Sequence, residues 1–295
     1  MRDQAVSSAP SDLLAWYEPR RRAYPWRVRP TPYRVLVSEV MLQQTQASRV
    51  APAFARFMRS FPSLRALADA GRGDVLREWA GLGYNRRAIA LQETARLVVR
   101  EHRGRLPRDP VVLRGLPGIG PYTAAAIASF AHGAPTPALD TNVRRVVARA
   151  RLGRETHEVS TGLLTSAAEE WIDRRDPAAW NGALMDLGRE LCRPLPRCDR
   201  CPLASICRFR IRGHRPRPAS RRQPAFEGSS RELRGRIVDA LRERPAITIG
   251  ALARVTGRPA DLVATAVRGL ALDGLVTAGP AALRGHSAGR VRLPT

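Results

Sequence analysis

Apolar residues recur at helical spacing along most of this chain, and strand-like alternation is nearly absent before residue 207. Ser11 and Asp12 are capping residues ahead of a helix over Leu13–Arg20. Tyr24-Pro25-Trp26-Arg27 reads as an extended turn, because proline drives its predecessor out of the helical region. The run Tyr33–Phe57 is helical, with a break near Gln46–Ser48, and Glu39 falls inside its apolar part. On spacing alone, a carboxylate there is a satisfied ion pair or a cap. Short helices follow over Ser63–Ala70 and Gly73–Gly81, then a long amphipathic one over Tyr84–His102. Others cover Val111–Arg114, Thr123–Phe130, Thr141–Arg151, Ser160–Arg174 and Pro177–Leu191. The pattern predicts an all-α domain of about ten short helices.

Composition shifts at residue 208. Arg, Pro, Ser and Gly dominate a basic linker over 208–231, and residues 1–10 are small, polar and expected to be disordered. The spacing then predicts helices over Leu233–Leu241, Ile249–Thr256 and Pro259–Asp273, with two short strands at Leu275–Thr277 and Arg290–Leu293. Three helices and a two-stranded wing make 232–295 a small winged-helix-like domain. It follows a main domain over 11–207.

Charge narrows the class of partner. The chain carries 50 basic against 26 acidic residues, a formal net charge of +24, which points to nucleic acid. Every basic residue is Arg. Schiff-base chemistry on a sugar aldehyde needs an unprotonated amine, which Arg does not supply at neutral pH. A lysine-dependent lyase step is therefore excluded. No apolar run approaches the roughly 20 residues that span a bilayer, and no secretory signal opens the chain. The expectation is a cytoplasmic, nucleoid-associated protein, a monomer with no membrane partner.

Two clusters carry chemistry. Cys192, Cys198, Cys201 and Cys207 lie within sixteen residues at gaps of five, two and five. Four soft thiolates so spaced can enclose an iron–sulfur cluster or a zinc ion, and the spacing leaves both open. Arg193, Arg197 and Arg200 make the loop basic, as phosphate contact requires. The second cluster is Leu116-Pro117-Gly118-Ile119-Gly120-Pro121-Tyr122-Thr123-Ala124. Glycines allow a close backbone approach, and the following helix N-terminus offers free N–H groups to a phosphate. Asp140 follows twenty residues after Gly120.

These residues resemble the adenine DNA glycosylases of MutY type, in the helix-hairpin-helix superfamily that includes endonuclease III. The resemblance rests on Tyr24–Arg27, Val37-Ser38-Glu39-Val40-Met41-Leu42-Gln43-Gln44-Thr45-Gln46 and Gly81-Leu82-Gly83-Tyr84. It also rests on Leu116–Ala124, Leu139–Val146, Met185-Asp186-Leu187-Gly188 and the cysteines, together covering roughly 12–210. It implies a two-lobed, all-α glycosylase fold with a cluster loop over 192–207, acting on mismatched double-stranded DNA.

The implied activity is base excision repair: hydrolysis of the glycosidic bond of adenine opposite 8-oxoguanine or guanine, in a flipped-out nucleotide. Glu39 would be the general acid, its carboxyl group kept protonated by apolar neighbours. Asp140 would stabilise the sugar cation, with Asn142 and Tyr122 assisting. Bifunctional relatives carry Lys where this chain has Tyr122, so the implied enzyme is monofunctional. Gln43 and Gln44 would enter the duplex near the vacated position, and Tyr84 would pack near the opposite base. Leu116, Gly118, Gly120, Thr123, Arg144, Arg193 and Arg197 would hold the DNA backbone. The cysteines would bind a [4Fe–4S] cluster, with zinc as the alternative.

The chain departs from this family in three places. The first cysteine gap is one residue short, Asn85 stands where many relatives have an aromatic residue, and no Nudix-like C-terminal domain is recognisable. Two other readings therefore stand: a glycosylase for uracil or thymine opposite guanine, and a non-catalytic iron–sulfur DNA-binding regulator.

Overall fold

A computed structural model describes residues 11–216 and 226–295. The expected disorder of 1–10 and part of the expected linker lie outside them. No described helix is long and apolar enough to cross a membrane. The residues divide into two compact units. Among the described residues, the first comprises 11–36, 107–115 and 119–216; the second comprises 37–106, 116–118 and 226–295.

The first unit is helical. A core of Leu13, Tyr17, Val143, Val146, Val147, Leu164, Trp171, Trp180, Leu184 and Leu187 unites the N-terminal helix with the helices Thr141–Val147, Thr161–Glu169 and Pro177–Glu190. Trp171 and Trp180 meet edge to face at 5.1 Å, a favoured arrangement of ring quadrupoles. Tyr24–Arg27, expected from its sequence to be an extended turn, is only partly so. Tyr24 is extended, but Pro25 opens a short helix Pro25–Val28, since proline at the first helical position lacks only an N–H the helix does not use. Arg27 from this turn forks onto Asp186 at 3.0 and 3.2 Å. Two of the sequence motifs, 159 residues apart, are thus halves of one ion pair.

Asn181 is fully buried and fastens the strand-like segment leading to Asp140. Its Oδ1 accepts from the Ala138 N–H at 2.8 Å. Its Nδ2 is within hydrogen-bond distance of Ser129 Oγ, the Thr136 carbonyl and the Pro177 carbonyl. Gly188 permits another close approach: a Cβ there would lie 2.7 Å from the Asn142 Cβ, so the helices Thr141–Val147 and Pro177–Glu190 touch backbone to side chain. The helix expected over Thr141–Arg151 changes character at Ala148, where a π-helical turn runs to Leu152.

The second unit packs Val50, Phe54, Phe57, Leu67, Val75, Leu76, Trp79 and Leu91 from the helices Ala47–Ser60, Leu64–Asp69, Arg72–Glu78 and Arg86–Glu101. Ser63 caps its helix by accepting from the Ala66 N–H, as its sequence position predicts. The C-terminal part comprises the helices Ser230–Arg242, Ile249–Thr256 and Ala260–Leu272 and a three-stranded antiparallel sheet. Its strands are β1 (Ile247–Thr248), β2 (Thr277–Ala278) and β3 (Arg290–Arg292), in the order β1-β3-β2. Strand β1 and the short helix Pro280–Leu283 have no sequence signal, because two residues of strand and four of helix are too short to show a period. This segment clusters with Val37–Leu106. The Arg242 Nε donates to the Leu76 carbonyl at 2.9 Å, and a Cβ on Gly73 would strike the Pro294 carbonyl at 2.5 Å.

Asn181→Ala strands several buried polar groups at once. It is expected to lower stability by roughly 3 kcal/mol, read from urea unfolding, with no change of secondary structure at low denaturant.

Candidate active site and cysteine loop

The glycine hairpin joins the helices Pro110–Arg114 and Pro121–His132. Gly118 has φ +73, and a Cβ there would lie 2.9 Å from the Ala90 Cβ, so both conformation and space demand glycine. Thr94, fully buried, donates to the Pro117 carbonyl at 2.7 Å and holds the turn against the helix Arg86–Glu101. Gly120 caps the next helix with no side chain, and a Cβ there would meet nothing within 4 Å. The helix start is therefore open to an approaching anion. Leu116 and Thr123 are 4 and 2 % exposed. Both pack into the interior, so the turn presents mainly backbone groups at its surface.

Asp140 is the N-cap of the helix Thr141–Val147. Its Oδ1 accepts from the Val143 N–H at 2.6 Å, and its Oδ2 accepts from Asn142 Nδ2 at 3.1 Å. Burial pushes its pKa above the ordinary carboxylate value, against the pull of these hydrogen bonds and of Arg145. Tyr122 packs against the small cluster of Ala125, Ala126 and Ala138, two residues before Asp140. Glu39 lies in the helix Pro32–Leu42, is 6 % exposed and belongs to the second unit.

Arg145 links the acid to the cysteine loop. Its Nη2 donates to Asn142 Oδ1 at 2.8 Å and to the Gly188 carbonyl at 2.7 Å, while Nε donates to the Cys192 carbonyl at 2.6 Å. One turn on, the buried Arg149 forks onto Glu155 at 2.7 and 3.2 Å. The same guanidinium donates to the carbonyls of Arg193 and Pro194 and lies 5.2 Å from the centre of the Phe209 ring. Sequence reading missed both arginines. The one signal for Arg149 was a charge inside the apolar run Val146–Ala150, since its partners lie far along the chain.

Cys192, Cys198, Cys201 and Cys207 line one cavity and form no disulfide. Burial raises the thiol pKa of Cys192 and Cys207 and pushes that of Cys201 to about 12. No group of three or more His, Cys, Asp or Glu among the described residues is gathered around a single-ion position. Four soft donors facing one cavity nevertheless fit a polynuclear thiolate-bound group. Arg193 and Arg197 are exposed on the loop, with their backbones tied inward to Arg149 and Leu191.

Gln44 and Tyr84 stand in left-handed conformations, at φ 55 and 47. One guanidinium serves both turns. Arg87 donates to the carbonyls of Val40, Met41 and Gln43 and to those of Leu82 and Gly83. It also lies over the rings of Trp79 and Tyr84, at 5.5 and 5.4 Å. Burial lowers its pKa to about 10, still well above neutrality. Gln43 is half-buried, whereas Gln44 and Tyr84 are exposed. Arg144 is half-buried, with its Nη2 3.4 Å from Thr161 Oγ1.

Residues 37–172 match the HhH-GPD superfamily of base excision DNA repair proteins. The adenine DNA glycosylase of Mycolicibacterium smegmatis is 43% identical over 241 residues, 81% of this chain and 82% of that protein. The human adenine DNA glycosylase is 42% identical over 219 residues, covering 70% of this chain and 40% of the human one. Among solved structures, a thermostable thymine-DNA glycosylase superposes with a TM-score of 0.66 at 27% identity, over 72% of this chain and 99% of its own. A trapped endonuclease III–DNA covalent intermediate gives 0.60 at 22% identity over 72% and 98% of the two chains, a likeness of fold. On the extent and identity of these matches, the chain belongs to the adenine DNA glycosylase family of the helix-hairpin-helix base excision repair proteins.

Proposed function

We propose that this protein is a monofunctional glycosylase that removes adenine mispaired with 8-oxoguanine or guanine. The observation that carries the reading is Asp140, held at a helix N-terminus by Val143 and Asn142 and poised as a fixed anion. Glu39 donates its proton to adenine N7, which turns the base into a better leaving group. The C1′–N9 bond breaks, its electron pair leaves with adenine, and Asp140 faces the cationic sugar. Water adds its hydroxyl to C1′, and its remaining proton restores Glu39. The absence of lysine supports a reaction that stops at the abasic site.

Cys192, Cys198, Cys201 and Cys207 would hold a [4Fe–4S] cluster. When bound, it fixes the loop that presents Arg193 and Arg197 to DNA phosphates. The likeness to a thymine-DNA glycosylase favours a second reading, removal of thymine or uracil opposite guanine.

A panel of duplexes differing only in the mismatched pair separates these readings. Adenine release opposite 8-oxoguanine is expected, reduced at least ~1000-fold in Glu39→Gln, a loss of the order attributed to general acids. Cleavage of G:U with A:8-oxoguanine untouched would sink the leading reading. DNA binding without release of any base would favour the regulator.

Asp140→Asn and Asp140→Ala are both expected to lose activity, but they should differ in stability. Asn retains an oxygen for the Val143 N–H, whereas Ala costs about 1 kcal/mol of capping. The raised pKa of Asp140 means that its ionisation opposes folding above the folded-state pKa, and that this cost vanishes below the unfolded value. At alkaline pH, Asp140→Asn should therefore melt no lower than the unmodified chain. The acid limb of the pH–rate profile should lie above the ordinary Asp range.

Iron and inorganic sulfide in equal amounts, with visible charge-transfer absorption, are expected of the purified protein. Stoichiometric zinc without colour would refute the cluster.

A further inference from the structure

Asn85 occupies the N-cap position of the helix Arg86–Glu101, yet its side chain caps nothing. Its backbone is already helical, at φ −56 and ψ −23, so Oδ1 is not turned toward the first N–H groups. Instead it accepts from Arg242 Nη2 at 2.8 Å. Arg242 closes the helix Ser230–Arg242 of the C-terminal segment, and its Nε donates to the Leu76 carbonyl. Its Nη1 pairs with Asp239. The next residue, Arg86, lies 3.6 Å from Asp273 at the end of the helix Ala260–Leu272, and Arg234 also engages Asp273. The two residues that follow Tyr84 are therefore each met by the C-terminal segment. The Arg86 contact is largely solvated and weak. The Arg242 side chain is only 10% exposed, so its contact with Asn85 is the stronger of the two.

This contact sits next to a strained backbone. Tyr84 is held at φ 47, a left-handed conformation that persists only where the surroundings impose it. Arg87 restrains one side of the turn through the Leu82 and Gly83 carbonyls and the Tyr84 ring. Arg242 restrains the other through Asn85.

We infer that Arg242 is a positioning residue for recognition of the base opposite the target. Through Asn85 it keeps Tyr84 in its left-handed pose, and so the C-terminal segment takes part in choosing the duplex. This rests on the glycosylase reading above and assigns the segment a role within it. Arg242 touches neither the substrate nor the reacting atoms.

Arg242→Met and Asn85→Leu, each in the full chain, test the inference. Amide hydrogen exchange over residues 81–86 is expected to quicken in both. Single-turnover release of adenine opposite 8-oxoguanine, guanine and cytosine is expected to show a preference lowered about tenfold, or ~1.4 kcal/mol. The double variant should be no worse than Arg242→Met, because one contact is lost either way. Melting temperatures control for folding. Unchanged exchange overturns the inference, as does a uniform fall in all three rates with the preference intact. If the unmodified chain releases no adenine from any duplex, the glycosylase reading fails, and the recognition role of Arg242 fails with it. The exchange measurement then still decides whether Arg242 holds the turn.

Discussion

A single hydrogen bond, from the Val143 N–H to Asp140 Oδ1, sets the geometry on which much of the first unit depends. It starts the helix Thr141–Val147, and that helix carries Asn142 and Arg145 on successive turns of one face. Arg145 reaches the Cys192 carbonyl, and Arg149 continues the line to Arg193 and Pro194. The acid and the cysteine loop are therefore parts of one hydrogen-bonded series. Each link is charge-assisted, the kind that loses most when one partner is removed. Gly188 makes the series possible, since any side chain there would hold the helix Pro177–Glu190 away from Asn142.

The helices were largely legible because their apolar periods are long and their caps are ordinary. Ser63, Asp109, Ser160 and Asp176 each cap the helix that follows them. The Pro25–Val28 helix was missed because one turn cannot be told from an extended proline segment by pattern. The π-helical turn after Val147 was missed because five residues inside an apolar run carry no period of their own that differs from an α-helix. Among the site residues, Asp140 and the four cysteines stood out by motif. Arg87 and Arg145 did not, because their partners are mostly backbone carbonyls, which have no sequence. Asn181 and Arg242 did not, because they tie down groups far along the chain.

Arginine does two kinds of work in this chain, with a net charge of +24 and no lysine. Exposed arginines such as Arg193 and Arg197 hold their charge at the surface. Others are structural. Arg87 bridges five carbonyls, and Arg149 satisfies a carboxylate, two carbonyls and an aromatic face. Lysine, a point charge with three donors on a flexible stem, cannot reproduce either arrangement. The formal charge alone therefore overstates what is available to DNA.

The cap at Asp140 also limits what can replace it. Glutamate has the same charge, but its extra methylene carries the carboxylate past the Val143 N–H, so it would have to choose between closing the helix and keeping its anion in place. Two demands, one of secondary structure and one of charge, meet on a side chain of fixed length. Aspartate meets both at the reach that the Val143 N–H sets, which makes this position sensitive to a change that keeps the charge and alters the length.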